Sequence, residues 1–157
     1  MLIQNSQLLR STSFIDGKWV AADDASRLAV RNPANGEIIA EVANCGAAET
    51  TRAIAAADAA WPAWRTLTAK QRAQLLRRWF DLILQNTEDL AQLITAEGGK
   101  PLAEARGEVA YGASFVEWFA EEGKRAYGET IPATVADKRL VVIKQPIGVC
   151  AAITPWN

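Results

Sequence analysis

Residues 147–153, Ile-Gly-Val-Cys-Ala-Ala-Ile, are nearly all apolar and lack the alternation of a strand wetted on one face. An unbroken run of that kind suits a strand buried on both sides, as in a parallel sheet. Such a strand needs a crossover and at least one partner, a connection of a dozen or more residues. Only Thr154 to Asn157 follow the run. The expectation is an α/β chain cut off at the entrance to a second domain.

Upstream of that run the chain falls into three stretches. The first 45 residues read as hairpins: Phe14-Ile15 and Lys18-Trp19-Val20 flank Asp16-Gly17, and Leu28-Ala29-Val30 and Ile38-Ile39-Ala40 flank a loop with Asn32-Pro33 and Asn35-Gly36. Asp-Gly and Asn-Gly supply the positive φ angles of tight hairpin turns. From about Ala47 the period is helical: Ile54, Ala57 and Trp61 recur at i, i+3 and i+7, and Pro62 is expected to stop the helix. Thr68-Ala69-Lys70-Gln71 has the form of a capping box, ahead of an apolar stripe of Leu75, Leu76, Trp79, Phe80 and Ile83.

A third helix is predicted from Thr87, with Glu88 and Asp89 at its positive end and Leu90, Leu93 and Ile94 packing it. Gly98-Gly99-Lys100-Pro101 breaks it and starts a longer helix, predicted to run to Tyr127 with Gly128 as terminator. Gly107 and Gly112 fall inside that helix. Each marks either a close backbone or ligand approach or a tolerated loss. Leu140 to Lys144 then reads as a strand ending at Gln145-Pro146.

Composition excludes several functions. The 157 residues are 50% hydrophobic and 22% charged, enough apolar content to fill a core. Seventeen Lys plus Arg balance eighteen Asp plus Glu, which leaves no electrostatic footprint for nucleic acid or an anionic membrane. No apolar run approaches the roughly 20 residues of a membrane span. Residues 1–12 lack the basic flank and apolar stretch of a secretory signal. A cytoplasmic location is the expectation. The chain has no histidine, which excludes histidine-based zinc sites and imidazole triads, and no metal is expected. Cys45 and Cys150 lack CxxC spacing and are expected to be small buried hydrophobes.

Few motifs carry chemistry. Gly99-Lys100 fails as a phosphate loop, because Ile94 and Pro101 occupy the positions that need glycine and Ser or Thr. Trp61, Trp64 and Trp79 read as core packing, and residues 117–125 as a solvated helical face. Ile153-Thr154-Pro155-Trp156-Asn157 closes the apolar run. Ligands of open α/β sheets bind beyond the carboxyl ends of strands. The carboxamide of Asn157 there is either an oxyanion donor or part of a simple turn.

The ordered succession of motifs resembles the aldehyde dehydrogenase superfamily. It comprises residues 14–19, Asn32-Pro33-Ala34-Asn35-Gly36, Glu97-Gly98-Gly99-Lys100-Pro101, Tyr127-Gly128-Glu129-Thr130-Ile131-Pro132, Gln145-Pro146-Ile147-Gly148-Val149 and residues 153–157. Residues 117–125 and 136–146 look most like the succinate-semialdehyde branch, with glutarate-semialdehyde dehydrogenases similar enough to stay open.

The resemblance implies the N-terminal part of an aldehyde dehydrogenase fold. Residues 1–136 would supply hairpins and helices of the cofactor-binding region, residues 137–147 an oligomerisation-type strand, and residues 148–157 the first strand of the Rossmann-like sheet. It implies Asn157 as the oxyanion donor, and Ile153, Thr154, Pro155 and Trp156 as lining for the nicotinamide ribose of NAD or NADP. Tyr111 and Phe115 match the mouth of the substrate tunnel. The small-molecule partner would be an aldehyde, and a homo-oligomer would form through residues 139–146. The nucleophilic cysteine, general-base glutamate and glycine-rich turn of the family lie beyond Asn157. The expected activity is therefore oxidation of a semialdehyde by the parent, with this chain inactive alone. A short non-catalytic binding or regulatory module derived from the family is the other reading.

Overall fold

Residues 3–155 are described by a computed structural model. After a short 3-10 turn, Ser6–Leu8, come two antiparallel hairpins. In β1 (Ser13–Ile15) and β2 (Lys18–Val20), Phe14 pairs with Trp19, and the turn takes φ 51° at Asp16 and 73° at Gly17. Positive φ at both central residues is the hairpin geometry that Asp-Gly predicts. The second hairpin joins β3 (Arg27–Arg31) to β4 (Ile38–Ala43). Its loop is held by two Asx turns: Asn32 Oδ1 accepts from Ala34 N at 2.9 Å and Asn35 Oδ1 from Glu37 N at 3.0 Å.

Four helices follow: α1 (Ala47–Thr66), α2 (Ala69–Gln85), α3 (Thr87–Gly98) and α4 (Leu102–Glu122). Buried Glu49 caps α1, accepting from Gly46 N at 2.9 Å and reaching across to Asp23 N at 2.7 Å. The Asp23, Glu49 and Gly46 N–H groups hold its carboxyl below the usual carboxylate range. Arg52 grips Asp23 with both guanidinium nitrogens at 2.7 Å, so α1 and the turn after β2 are tied twice.

Pro62 does not stop α1. The helix runs four residues past it, to Thr66. Proline there costs one backbone bond to the residue four before it, and an exposed helix can absorb that. The expected apolar face of α1 is also largely outside: Ile54 and Ala57 are exposed and only Trp61 is half-buried.

Thr68 caps α2 as its motif predicts, with Gln71 N donating to Thr68 Oγ1 and Thr68 N to Gln71 Oε1. In α3, Asp89 is buried and accepts from Gln4 N at 3.0 Å and Asn5 N at 2.8 Å, pinning the N-terminal segment to the helix start. The α3–α4 break falls at Gly99, φ 75°, where a Cβ would lie 2.9 Å from Pro33 Cγ. Glycine is needed there for both conformation and space.

The core is built on alanine. Ala91, Ala105 and Val109 form its centre, with Ile83, Leu90, Ile94 and Leu102 packed around them, and Ala73, Ala96, Ala113 and Ala120 are also buried. Small residues let α2 and α3 approach α4 closely. They also leave large side chains pointing elsewhere. On α2 the inner row is Ala73, Leu76, Phe80 and Ile83, whereas Leu75 and Trp79, expected on the same stripe, are 51% and 56% exposed. Each sits one residue, about 100°, round the helix from an inner position.

α4 ends at Glu122, not Tyr127, and passes into a 3-10 turn, Gly123–Arg125. Gly128 is not its terminator. A Cβ at Gly128 would collide with the carbonyl oxygen of Val142, where β5 (Glu129–Ile131) pairs with β6 (Leu140–Val142). From Ile143 onward the described chain is an arm without helix or strand, with Ile147 92% and Ile153 99% exposed. Among the described residues no strand pairs with the apolar run. Cys150, expected to be buried, is exposed on this arm for the same reason, while half-buried Cys45 donates to Ser13 Oγ at 3.3 Å.

Candidate functional site

The outward face of α4 gathers the aromatic residues. Tyr111 and Phe115, one turn apart, meet edge to face with ring centroids 4.8 Å apart and planes at 76°. Ser114 Oγ donates to the Tyr111 carbonyl at 2.7 Å, using up its proton inside the helix. Trp118 and Phe119 continue the row at i+3 and i+4 from Phe115. These side chains line an open cleft of about 850 Å³. Tyr111 and Trp118 are 66% and 62% exposed, a contiguous apolar patch of the kind that marks a binding surface.

The rim of this cleft is charged but compensated. Glu117 accepts from Arg77 at 2.8 Å, Glu121 pairs with Lys124 at 2.6 Å and Glu122 with Arg125 at 2.7 Å. Lys124 beside it holds the Glu121 carboxyl below its ordinary range. An aromatic floor inside a neutralised rim suits an uncharged apolar group. Ser114 has no base beside it, the chain has no imidazole, and among the described residues neither cysteine reaches the cleft.

A second cavity, about 520 Å³, lies where β3 meets the α3–α4 break and is lined by Glu97, Lys100, Glu104 and Glu108. Lys100 Nζ is paired with Glu108. This acidic lining cannot cradle phosphate, in agreement with the failed loop motif.

The structure brings Tyr111 and Phe115 together. Ile153, Thr154 and Pro155 are exposed on the C-terminal arm and do not line their cleft. Trp156 and Asn157 lie outside the described residues. Trp118 and Phe119 belong to the cleft although residues 117–125 read as a solvated face. The sequence carried a signal for them: 111, 115, 118 and 119 follow the i, i+4, i+7, i+8 spacing of one helical stripe.

Residues 19–157 match the family model described as "Aldehyde dehydrogenase family". The chain is 62% identical over its full length to a glutarate-semialdehyde dehydrogenase of Pseudomonas aeruginosa, spanning 32% of that protein. It is 59% identical to the succinate-semialdehyde dehydrogenase [NADP(+)] of Escherichia coli, of which it spans 33%. Its structure superposes on a succinate-semialdehyde dehydrogenase from Burkholderia pseudomallei with TM-score 0.96 and 59% identity, covering 98% of this chain and 32% of that one. The chain thus spans about a third of the length of the relatives it matches. It belongs to the aldehyde dehydrogenase family.

Proposed function

We propose that this chain is the N-terminal third of an NAD(P)-dependent semialdehyde dehydrogenase that oxidises a short aldehyde with a terminal carboxylate to the diacid. The supporting observation is the unbroken identity, 59–62% over the whole chain, with proteins named for succinate and glutarate semialdehyde. In this reading residues 1–136 belong to the cofactor-binding region, residues 137–147 to an oligomer-forming strand and residues 148–157 to the first strand of the cofactor sheet. The complete protein would be a cytoplasmic homo-oligomer joined through residues 139–146. No helix among the described residues is long and apolar enough to cross a membrane.

The chain's own chemistry would be positioning. Tyr111 and Phe115 guide the methylene chain of the aldehyde, for which an aromatic floor is well suited. Asn157 donates a carboxamide N–H to the aldehyde oxygen as that oxygen gains charge, a role worth about 10²–10³ in turnover. The nucleophile and base are supplied by residues after Asn157. Residues 153–156 flank the ribose beside the nicotinamide, whose chemistry is to accept hydride. Gly99-Lys100 is not the phosphate cradle for the cofactor, since Gly99 joins two helices and Lys100 is paired with Glu108. In this reading the cofactor phosphates are held by the glycine-rich turn that the family resemblance places after Asn157.

The test is the complete gene product assayed with succinate semialdehyde, glutarate semialdehyde and an uncharged aldehyde of equal length, each with NAD and NADP. The reading predicts the highest kcat/KM with one of the two carboxylated substrates. Preference for the uncharged aldehyde would overturn it.

A further inference from the structure

We propose that the cleft between the end of α1 and the chain leaving β6 binds a phosphate-type oxyanion. The cleft holds about 320 Å³, the low end of the roughly 300–1,000 Å³ that small-molecule sites occupy. Its walls include Trp61 and Trp64 of α1, its cations are Arg65, Arg72 and Lys144, and Gln145 adds an amide donor. No carboxylate lines it.

The absence of a carboxylate sets these cations apart from four other arginines of the chain. Arg52, Arg77, Arg106 and Arg125 each face a carboxylate at 2.7–2.8 Å. Arg65 and Lys144 have no hydrogen bond or ion pair among the described residues, and Arg72 is engaged through one nitrogen with the carbonyl of Leu67. Three like charges sharing one cavity repel one another, and an entering dianion removes that repulsion. Two indoles beside them lower the local dielectric, which strengthens each charge–anion contact. Arg65 presents a planar fork suited to two oxygens of one anion, and Lys144 a point charge for a third.

Sequence spacing assembles half of the site. Trp61, Trp64 and Arg65 stand at i, i+3 and i+4 on one helical face, and Arg72 lies in the first turn and a half of α2. Lys144 and Gln145 arrive from the other end of the chain, just past β6. Occupancy would therefore tie the chain after the hairpin to the helical layer.

The experiment is isothermal titration calorimetry of the complete gene product with inorganic phosphate, with sulfate and chloride at matched ionic strength as separate arms. Saturable phosphate binding is expected, weakened roughly tenfold or more by Arg65→Gln and again by Lys144→Gln. Arg78→Gln, an exposed arginine outside the cleft, should bind as the parent does. Far-ultraviolet circular dichroism checks that each variant is folded, and Arg65→Lys should retain partial binding. Binding of sulfate but not phosphate would overturn the choice of ligand. Equal responses to chloride, no phosphate binding, or undiminished binding by the folded Arg65→Gln/Lys144→Gln double variant would overturn the site.

Discussion

Gly128 and Val142 lie so close that any side chain at position 128 would collide with the carbonyl oxygen of residue 142. The collision is with backbone, which cannot swing aside as a side-chain tip can. Gly128→Ala should therefore splay the β5–β6 hairpin at its base, at a cost of about 1–3 kcal/mol by analogy with overpacked cores. Limited trypsin digestion reads this directly, because Lys138 and Arg139 sit in the hairpin loop. Faster cleavage there is expected, and an unchanged digestion rate would refute the contact's importance.

Gly107 and Gly112 give the opposite expectation. A Cβ at either position meets nothing within 4 Å, so neither glycine is explained by packing within the described residues. In the 157-residue chain alone, Gly107→Ala and Gly112→Ala should each raise stability by about 0.5–1 kcal/mol, since alanine has fewer unfolded conformations than glycine to lose on forming the helix. Gly112 neighbours Tyr111 in the aromatic cleft. If substrate or another part of the complete protein approaches there, Gly112→Ala will raise KM in that protein while the Gly107 variant keeps it. Chemical denaturation of the chain and steady-state kinetics of the complete protein separate the two effects.

Asp89 joins sequence-distant segments through a single carboxylate. Removing it takes the charged acceptor from the N–H groups of the exposed residues Gln4 and Asn5, a loss of about 0.5–1.5 kcal/mol per hydrogen bond. Asp89→Ala should lower the melting temperature and speed hydrogen exchange at Gln4 and Asn5. Asp89→Asn, which keeps one acceptor oxygen, should fall between. Equal exchange in all three proteins would show that the clasp is open in solution.

Glu49 sets a pH dependence whose sign can be worked out. Its folded carboxyl titrates below the ordinary value of 4.5 because the Asp23, Glu49 and Gly46 N–H groups favour the charged form. The folded state then binds fewer protons than the unfolded state in that range. Its stabilising effect is complete above about 4.5, and is lost as pH falls through the depressed folded value. Glu49→Gln should flatten the acid limb of a stability-against-pH curve and leave its shape near neutrality unchanged. An acid limb as steep as the parent's would remove Glu49 from the account.

Local chemistry made much of this fold legible in the sequence. Asp16-Gly17 and Thr68 to Gln71 specify their turn and cap from residues adjacent in the chain, and the structure reproduces both. Pro62 misled because a single proline costs one hydrogen bond, which a long helix can tolerate. Leu75 and Trp79 misled for a different reason. Hydrophobicity identifies a stripe but not which of two adjacent apolar rows faces the alanine-lined seam, and that depends on how closely α2 approaches α4. Trp118 and Phe119 were hidden among charges, although their helical spacing from Tyr111 was present. Ile153 to Asn157 drew their proposed roles from family resemblance, since their spacing alone also fits a turn.

The most direct test is reduction of NAD or NADP with succinate or glutarate semialdehyde, comparing the complete gene product, its Asn157→Ala variant and the 157-residue chain. The account predicts turnover by the complete protein, a kcat lowered about 10²–10³-fold in Asn157→Ala with cofactor affinity within a few-fold, and none by the chain alone. Turnover by the isolated chain, or an unchanged kcat in the variant, would contradict it.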